Sequence, residues 1–146
     1  MKTISTQQLV EDVEALRHMG LEVLEESSNR IRIKLPKEGN RNHVGGIYAG
    51  TVFTLAEIPF GLLFVKRFSL SDMYPVVGEV TIRFQALATS PLFVELCVSD
   101  EEWDEIERAT RAEGKVKIVR NVEVKDEEGH VNAIVAVTYF SVLAKS

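Results

Sequence analysis

The chain has 146 residues, 45% of them hydrophobic, so one domain over residues 1–146 can bury a core without a disulfide or a metal. Its 17 Lys and Arg against 22 Asp and Glu give a net charge of −5, which argues against a nucleic-acid surface, since phosphate backbones demand a basic stripe. One cysteine excludes an internal disulfide, residues 1–8 carry no apolar signal core, and the longest apolar stretch, 58–65, is far short of the roughly 20 residues that cross a bilayer; a cytoplasmic protein without a membrane span is expected.

Ser5-Thr6-Gln7-Gln8 reads as a capping box, with Leu9, Val13 and Leu16 on one face of a first helix that Gly20 stops. Residues 21–25 and 30–35 read as extended; in the second, Ile31, Ile33 and Leu35 alternate with Arg30, Arg32 and Lys34, and Pro36 with Gly39-Asn40 ends the run. From Ile47 to about Phe68 the chain is apolar on nearly every side, which predicts a central helix surrounded by protein. Pro59 inside it is expected to bend or break the helix just beyond Glu57. Val76, Gly78, Val80, Ile82, Phe84, Ala86 and Ala88 then alternate with Glu79, Thr81, Arg83 and Gln85 as a long half-buried strand, and Leu92, Val94, Leu96 and Val98 give another. Ser99-x-x-Glu102 caps a further helix with Trp103 and Ile106 inward, ended by Gly114. Val116, Ile118, Val122 and Val124 mark a strand, residues 125–129 a hairpin turn, and residues 131–143 a last strand apolar on both faces, which calls for cover on both sides of the sheet. One long helix followed by antiparallel strands is an α+β layer arrangement, with the sheet wrapped around the helix.

The most informative stretch runs from Asn42 to Glu57 (NHVGGIYAGTVFTLAE), where a glycine-rich loop opens the central helix. The first turn of a helix has N–H groups without intrahelical acceptors, and its dipole favours developing negative charge, so Ala49 and Gly50 can form an oxyanion hole. Glycines at 45, 46 and 50 permit positive φ and close approach of a ligand. The register Asn-x-x-Gly-x-x-Tyr-Ala-Gly, followed seven residues later by Glu, resembles the Asn-x-x-Gly-x-x-His-Gly-Gly-(six residues)-Asp/Glu pattern of hotdog-fold acyl-CoA thioesterases of the phenylacetyl-CoA and 4-hydroxybenzoyl-CoA type. It is similar above all to the thioesterase domain fused to some bacterial acetyltransferases. The resemblance implies a hotdog fold, a homodimer, hydrolysis of an acyl thioester, and no cofactor beyond the coenzyme A of the substrate; it leaves dimer and tetramer open. It also implies that Asn42 positions the thioester or the attacking water and that Gly45 is the loop glycine; Tyr48 stands where the family has histidine.

Thr51, Thr54 and Glu57 fall at i, i+3 and i+6, on one stripe of the helix that can line a site. A carboxylate in apolar surroundings has a raised pKa, which suits Glu57 to work as a general base or nucleophile; the competing reading is an ion pair with an arginine such as Arg83. The two threonines have a competing reading as donors to preceding backbone carbonyls, Asn42 and Gly45 as turn residues, and Tyr48 as a space-filler. Ala49 and Glu57 are eight residues apart, about 12 Å along a helix axis at 1.5 Å per residue, too far to act on one thioester from one chain. Two composite sites across a homodimer are therefore expected. Arg41, Lys66, Arg67, Arg83 and Arg120 are available to meet the anionic coenzyme, each with a competing reading as a solvated charge. His18, His43 and His130 are scattered and make no metal set, and Cys97 reads as a packing residue. A second function class, a non-catalytic acyl-CoA or acyl-carrier binding module, is consistent with the altered Tyr48-Ala49 pair. The hydratases that share the fold lack support, because their Asp and His pair is missing.

Overall fold

The computed structural model describes residues 5–146; residues 1–4, part of the N-terminal stretch read for a signal segment, lie outside the described residues. In chain order the elements are α1 (Thr6–Asp12), a 3-10 turn (Glu14–Leu16), β1 (Glu22–Glu26), β2 (Arg30–Leu35), α2 (Ala49–Arg67), β3 (Met73–Phe84), β4 (Leu92–Cys97), α3 (Asp100–Glu113), β5 (Lys115–Lys125) and β6 (Val131–Leu143). The strands form one antiparallel sheet in the order β1-β2-β4-β5-β6-β3. Its inner face wraps α2, which touches β2 to β6, and this is the α+β hotdog arrangement that the motif implied.

The helix lies where its residues require. Leu55, Ala56, Phe60, Leu63 and Phe64 are buried against Ile31, Ile33 and Leu35 of β2 and the inward residues of β4 to β6. By length and composition alone α2 could cross a membrane; in the fold these five residues are covered by protein. Pro59 removes one bond to the Leu55 carbonyl, yet α2 runs unbroken through it to Phe68. α3 sits on the same side of the sheet, with Trp103 among Phe60, Phe64 and Phe68, and Thr110 Oγ1 bonded at 2.8 Å to Ser141 Oγ on β6. Its capping box is complete: Ser99 accepts from the Glu102 amide, and the Glu102 carboxylate accepts from the Ser99 amide at 2.8 Å.

Four expectations are corrected. Ser5 caps α1 through the Gln8 amide, but the Gln8 side chain turns to Asp12 instead of closing a box, and α1 ends early, with Val10 and Leu16 buried and Val13 exposed. β3 stops at Phe84, and its register shifts between Val77 and Glu79. That bulge changes which residues face inward: Val76 pairs with outward Phe140, Val77 with inward Tyr139, and beyond it Val80 and Ile82 face the core. A single alternation across residues 76–88 misses this. Cys97 is exposed on the outer face of β4 with Glu95, because Leu92, Val94 and Leu96 take the inner positions. The outer face of the sheet is not covered within the chain; Val119 and Ile134 are exposed there.

Candidate active site

The loop before α2 is organised by Asn42. Its Oδ1 accepts from the amides of Val44 and Gly46, both at 3.0 Å, and its own N–H donates to the Gly46 carbonyl at 2.7 Å. Gly45 has φ +83°, in the left-handed region that favours glycine. Gly46 is pressed against the segment that follows β3: a Cβ there would stand 2.5 Å from Leu87 Cδ1 and 3.1 Å from the Ala88 carbonyl oxygen. The Ile47 amide then donates to that Ala88 carbonyl at 2.9 Å, and the Tyr48 amide to the Asn40 carbonyl at 2.8 Å. Asn40, buried, ties this junction to the first part of the chain through bonds to the Met19 and Pro36 carbonyls.

Tyr48 is the N-cap of α2 and offers no side-chain cap. Its carbonyl accepts from the amides of Thr51 and Val52, whereas the Ala49 and Gly50 amides have no acceptor among the described residues. These are the donors expected of an oxyanion hole, at the positive end of a 19-residue helix. The Tyr48 ring, largely exposed, lies over Gly50, where a Cβ would meet it at 2.5 Å. A cleft of about 450 Å³ opens beside this turn; Asn42, Ala49, Val52, Phe84, Leu87 and Asn132 are among its walls.

Of the eight nominated residues only Asn42 and Ala49 line that cleft; Gly45, Tyr48, Gly50, Thr51, Thr54 and Glu57 do not. Thr51 Oγ1 donates to the Tyr48 carbonyl at 2.8 Å and Thr54 Oγ1 to the Gly50 carbonyl at 2.9 Å, the backbone role weighed for them above. Glu57 is half-buried on α2, and its carboxylate has neither an ion pair nor a hydrogen bond among the described residues. Burial alone raises its pKa above the ordinary carboxyl value. Arg83 is not its partner: Val80 and Ile82 face the core, so Arg83 points to the opposite side of β3. Tyr139 on β6 reaches this residue through its backbone: its hydroxyl donates to the Glu57 carbonyl at 2.6 Å. Burial and the Glu57 charge push the Tyr139 pKa up, while Arg120 pulls it back.

Of the five cations considered for the coenzyme, Arg41 is paired with Glu38, Lys66 with Glu26, Arg67 with Asp100 and Asp104, and Arg120 with Glu102, whereas Arg83 has no ion-pair partner among the described residues. No group of three or more His, Cys, Asp or Glu that could hold a metal ion occurs among the described residues; His130 lies beside Asp126 and Glu128 in the hairpin. Two residues of the region went unnoticed in the sequence, Tyr139 and Asn132. Asn132 had a signal: it is the polar residue in the apolar run Val131-Asn132-Ala133-Ile134-Val135.

The family model described as "Domain of unknown function (DUF4442)" matches residues 13–140. Among solved structures the chain is similar to a protein of unknown function from Pseudomonas aeruginosa described as a probable thioesterase, at 32% identity and TM-score 0.90, over 98% of this chain and 97% of that one. It is similar in fold to a thioesterase from Haemophilus influenzae, with 14% identity, TM-score 0.73 and coverage of 99% and 95%. A hypothetical thioesterase from Streptococcus pneumoniae, solved with coenzyme A, shares 18% identity at TM-score 0.61, over 87% of this chain and 92% of that one. No curated protein matches the chain.

Proposed function

We propose that this chain, which belongs to the DUF4442 family, hydrolyses an acyl-CoA or related acyl thioester to free acid and thiol. The observation that carries the reading is a half-buried Glu57 carboxylate on the same helix as the Ala49 and Gly50 amides, all three without a partner among the described residues. The Ala49 and Gly50 N–H groups polarise the thioester carbonyl, and Glu57 of a second copy attacks it or activates the water that does. Asn42 shapes the loop that aims those amides. No cofactor takes part. The Pseudomonas relative described as a probable thioesterase and the streptococcal neighbour solved with coenzyme A support this substrate class.

Two copies are required because Glu57 lies outside the cleft that holds Ala49, about 12 Å along the helix by the rise per residue. β3 supports the assembly. It is a 12-residue strand at the sheet edge, with Val76, Val77 and Phe84 exposed, and such an edge is a template for a second strand. Dimers can pair further into tetramers.

One observation favours a second reading, a non-catalytic acyl-thioester binder: Asn42 Oδ1 is already occupied by two loop amides, so it is not free to hold a water. Thiol release from a panel of acyl-CoA esters, with Glu57→Ala as control, decides between them. The enzyme reading expects turnover that the variant loses while it still binds ligand. Absence of thiol release from every ester, with binding retained, selects the binder; release from a 2-enoyl-CoA of hydrated ester instead of thiol selects a hydratase.

A further inference from the structure

The cleft beside the start of α2 holds a polar group that the proposed reaction leaves unused. Asn132, near the beginning of β6, is 6% exposed, and its Oδ1 is buried without a donor, yet the residue lines the same cleft as Asn42 and Ala49. Its main chain is fixed, because its carbonyl accepts from the Gln85 amide at 2.8 Å and the Ala86 amide at 3.4 Å. The side-chain amide makes no hydrogen bond among the described residues. Asn40 is the instructive contrast: its Oδ1 also lacks a donor, but its Nδ2 ties two backbone carbonyls, which accounts for an asparagine there. No such structural duty accounts for Asn132. Burying that amide oxygen without a donor costs free energy that Val or Leu would not incur at the same strand position. Of the walls around it, Val52, Phe84, Leu87 and Leu92 are apolar, and the polar ones, Asn42, Gln85 and the Ala49 amide, make no hydrogen bond to its side chain among the described residues.

We propose that Asn132 is a specificity-determining residue of the thioester site, accepting a hydrogen bond from an O–H or N–H that the ligand carries a few bonds from its reacting carbonyl. A turn about the soft χ2 torsion presents Oδ1 to the cleft. The Ala49 and Gly50 amides take the carbonyl, so Asn132 needs a second group on the same molecule. A thioester ligand has two sources of that donor: a hydroxyl on the acyl chain, or the first amide N–H of the coenzyme's thiol arm. The inference rests on reading this cleft as the thioester site.

Three thioesters of one acyl length separate the sources: a plain acyl-CoA, its 3-hydroxy counterpart, and the plain acyl group on an alkanethiol without an amide. Hydrolysis and calorimetric affinity are measured for the unaltered chain, Asn132→Leu and Asn132→Ala. Recognition of the arm amide predicts a loss of about tenfold in both variants, the scale of one neutral hydrogen bond, on the two CoA esters but not on the alkyl thioester. Recognition of a hydroxyl predicts the same loss on the 3-hydroxy ester alone. An equal loss on all three, as a packing defect would give, or no loss on any, overturns the proposal. If the unaltered chain cleaves none of them, the hydrolase reading fails by itself. The affinities then decide: a selective tenfold weakening upholds Asn132 as the recognition group, and unchanged or absent binding rejects it.

Discussion

A carboxylate that is half-buried without a cation is disfavoured as an anion, and at Glu57 nothing compensates: the Tyr139 hydroxyl goes to the backbone carbonyl, and burial alone raises the side-chain pKa. The consequence for stability has a definite sign. Between the ordinary carboxyl value and the raised one, the folded chain binds more protons than the unfolded chain, so stability is full below this window and declines as pH rises through it. Glu57→Gln has no proton to lose and escapes the decline. Thermal melts from about pH 4 to about pH 8 should therefore show the variant's Tm advantage smallest at the acid end and growing towards neutrality. A gap that does not change with pH would show that the carboxyl is not its source. Turnover runs the opposite way, because a base or nucleophile must be ionised. The rate should rise with pH through the same raised value, and the Gln variant should lose about 10²–10⁴-fold. Glu57 was legible in the sequence as a lone acid in an apolar helix. Which groups face it across the fold was not, because Tyr139 reaches its backbone from β6, 82 residues along the chain.

At the scale of elements, the loop of residues 42–46 and the first turn of α2 behave as one device. Asn42 closes the loop with four hydrogen bonds, Gly46 lets it lie on Ala88, and the turn that follows leaves two amides without an acceptor among the described residues. If Asn42 works as the acceptor that shapes this loop, the side-chain nitrogen is dispensable. Asn42→Asp keeps the acceptor and should hold stability close to the parent, whereas Asn42→Ala strands two loop amides and should cost about 1–3 kcal/mol in urea unfolding. If Asp is as damaging to turnover as Ala while leaving stability intact, the nitrogen itself handles substrate or water. The limits of α2 and α3 and the α3 capping box were readable because each is encoded close by: Ser99 and Glu102 satisfy each other locally, and Gly114 takes φ +80°. The β3 bulge, the early end of α1 and the exposed Cys97 depend on partners far along the chain. Gly78, where β3 shifts register, faces the Phe140 ring on β6, a contact that no local alternation contains.

In the assembled dimer, a site built from the amides of one copy and Glu57 of the other requires that neither copy work alone. Ala49→Pro tests it without disturbing the fold. Proline is favoured at the first helical position, and Tyr48 before it has φ −64° and ψ 134°, the extended conformation that a residue preceding proline adopts. The substitution deletes one N–H of the oxyanion hole and should lower kcat about 10²–10³-fold, with the melting temperature held. Glu57→Ala removes the other half of the chemistry. When the two inactive variants are mixed and allowed to exchange subunits, each heterodimer contains one site with both defects and one in which intact amides from the Glu57→Ala chain face an intact Glu57 from its partner. Random pairing makes about half the dimers mixed, so about a quarter of the parental activity should return. The yield should follow subunit exchange in time and vanish when charges placed on β3, such as Val76→Lys with Val77→Glu, hold the chain monomeric. Sites built within single chains would recover nothing on mixing, and a monomeric variant that still turned over would sink the composite site outright.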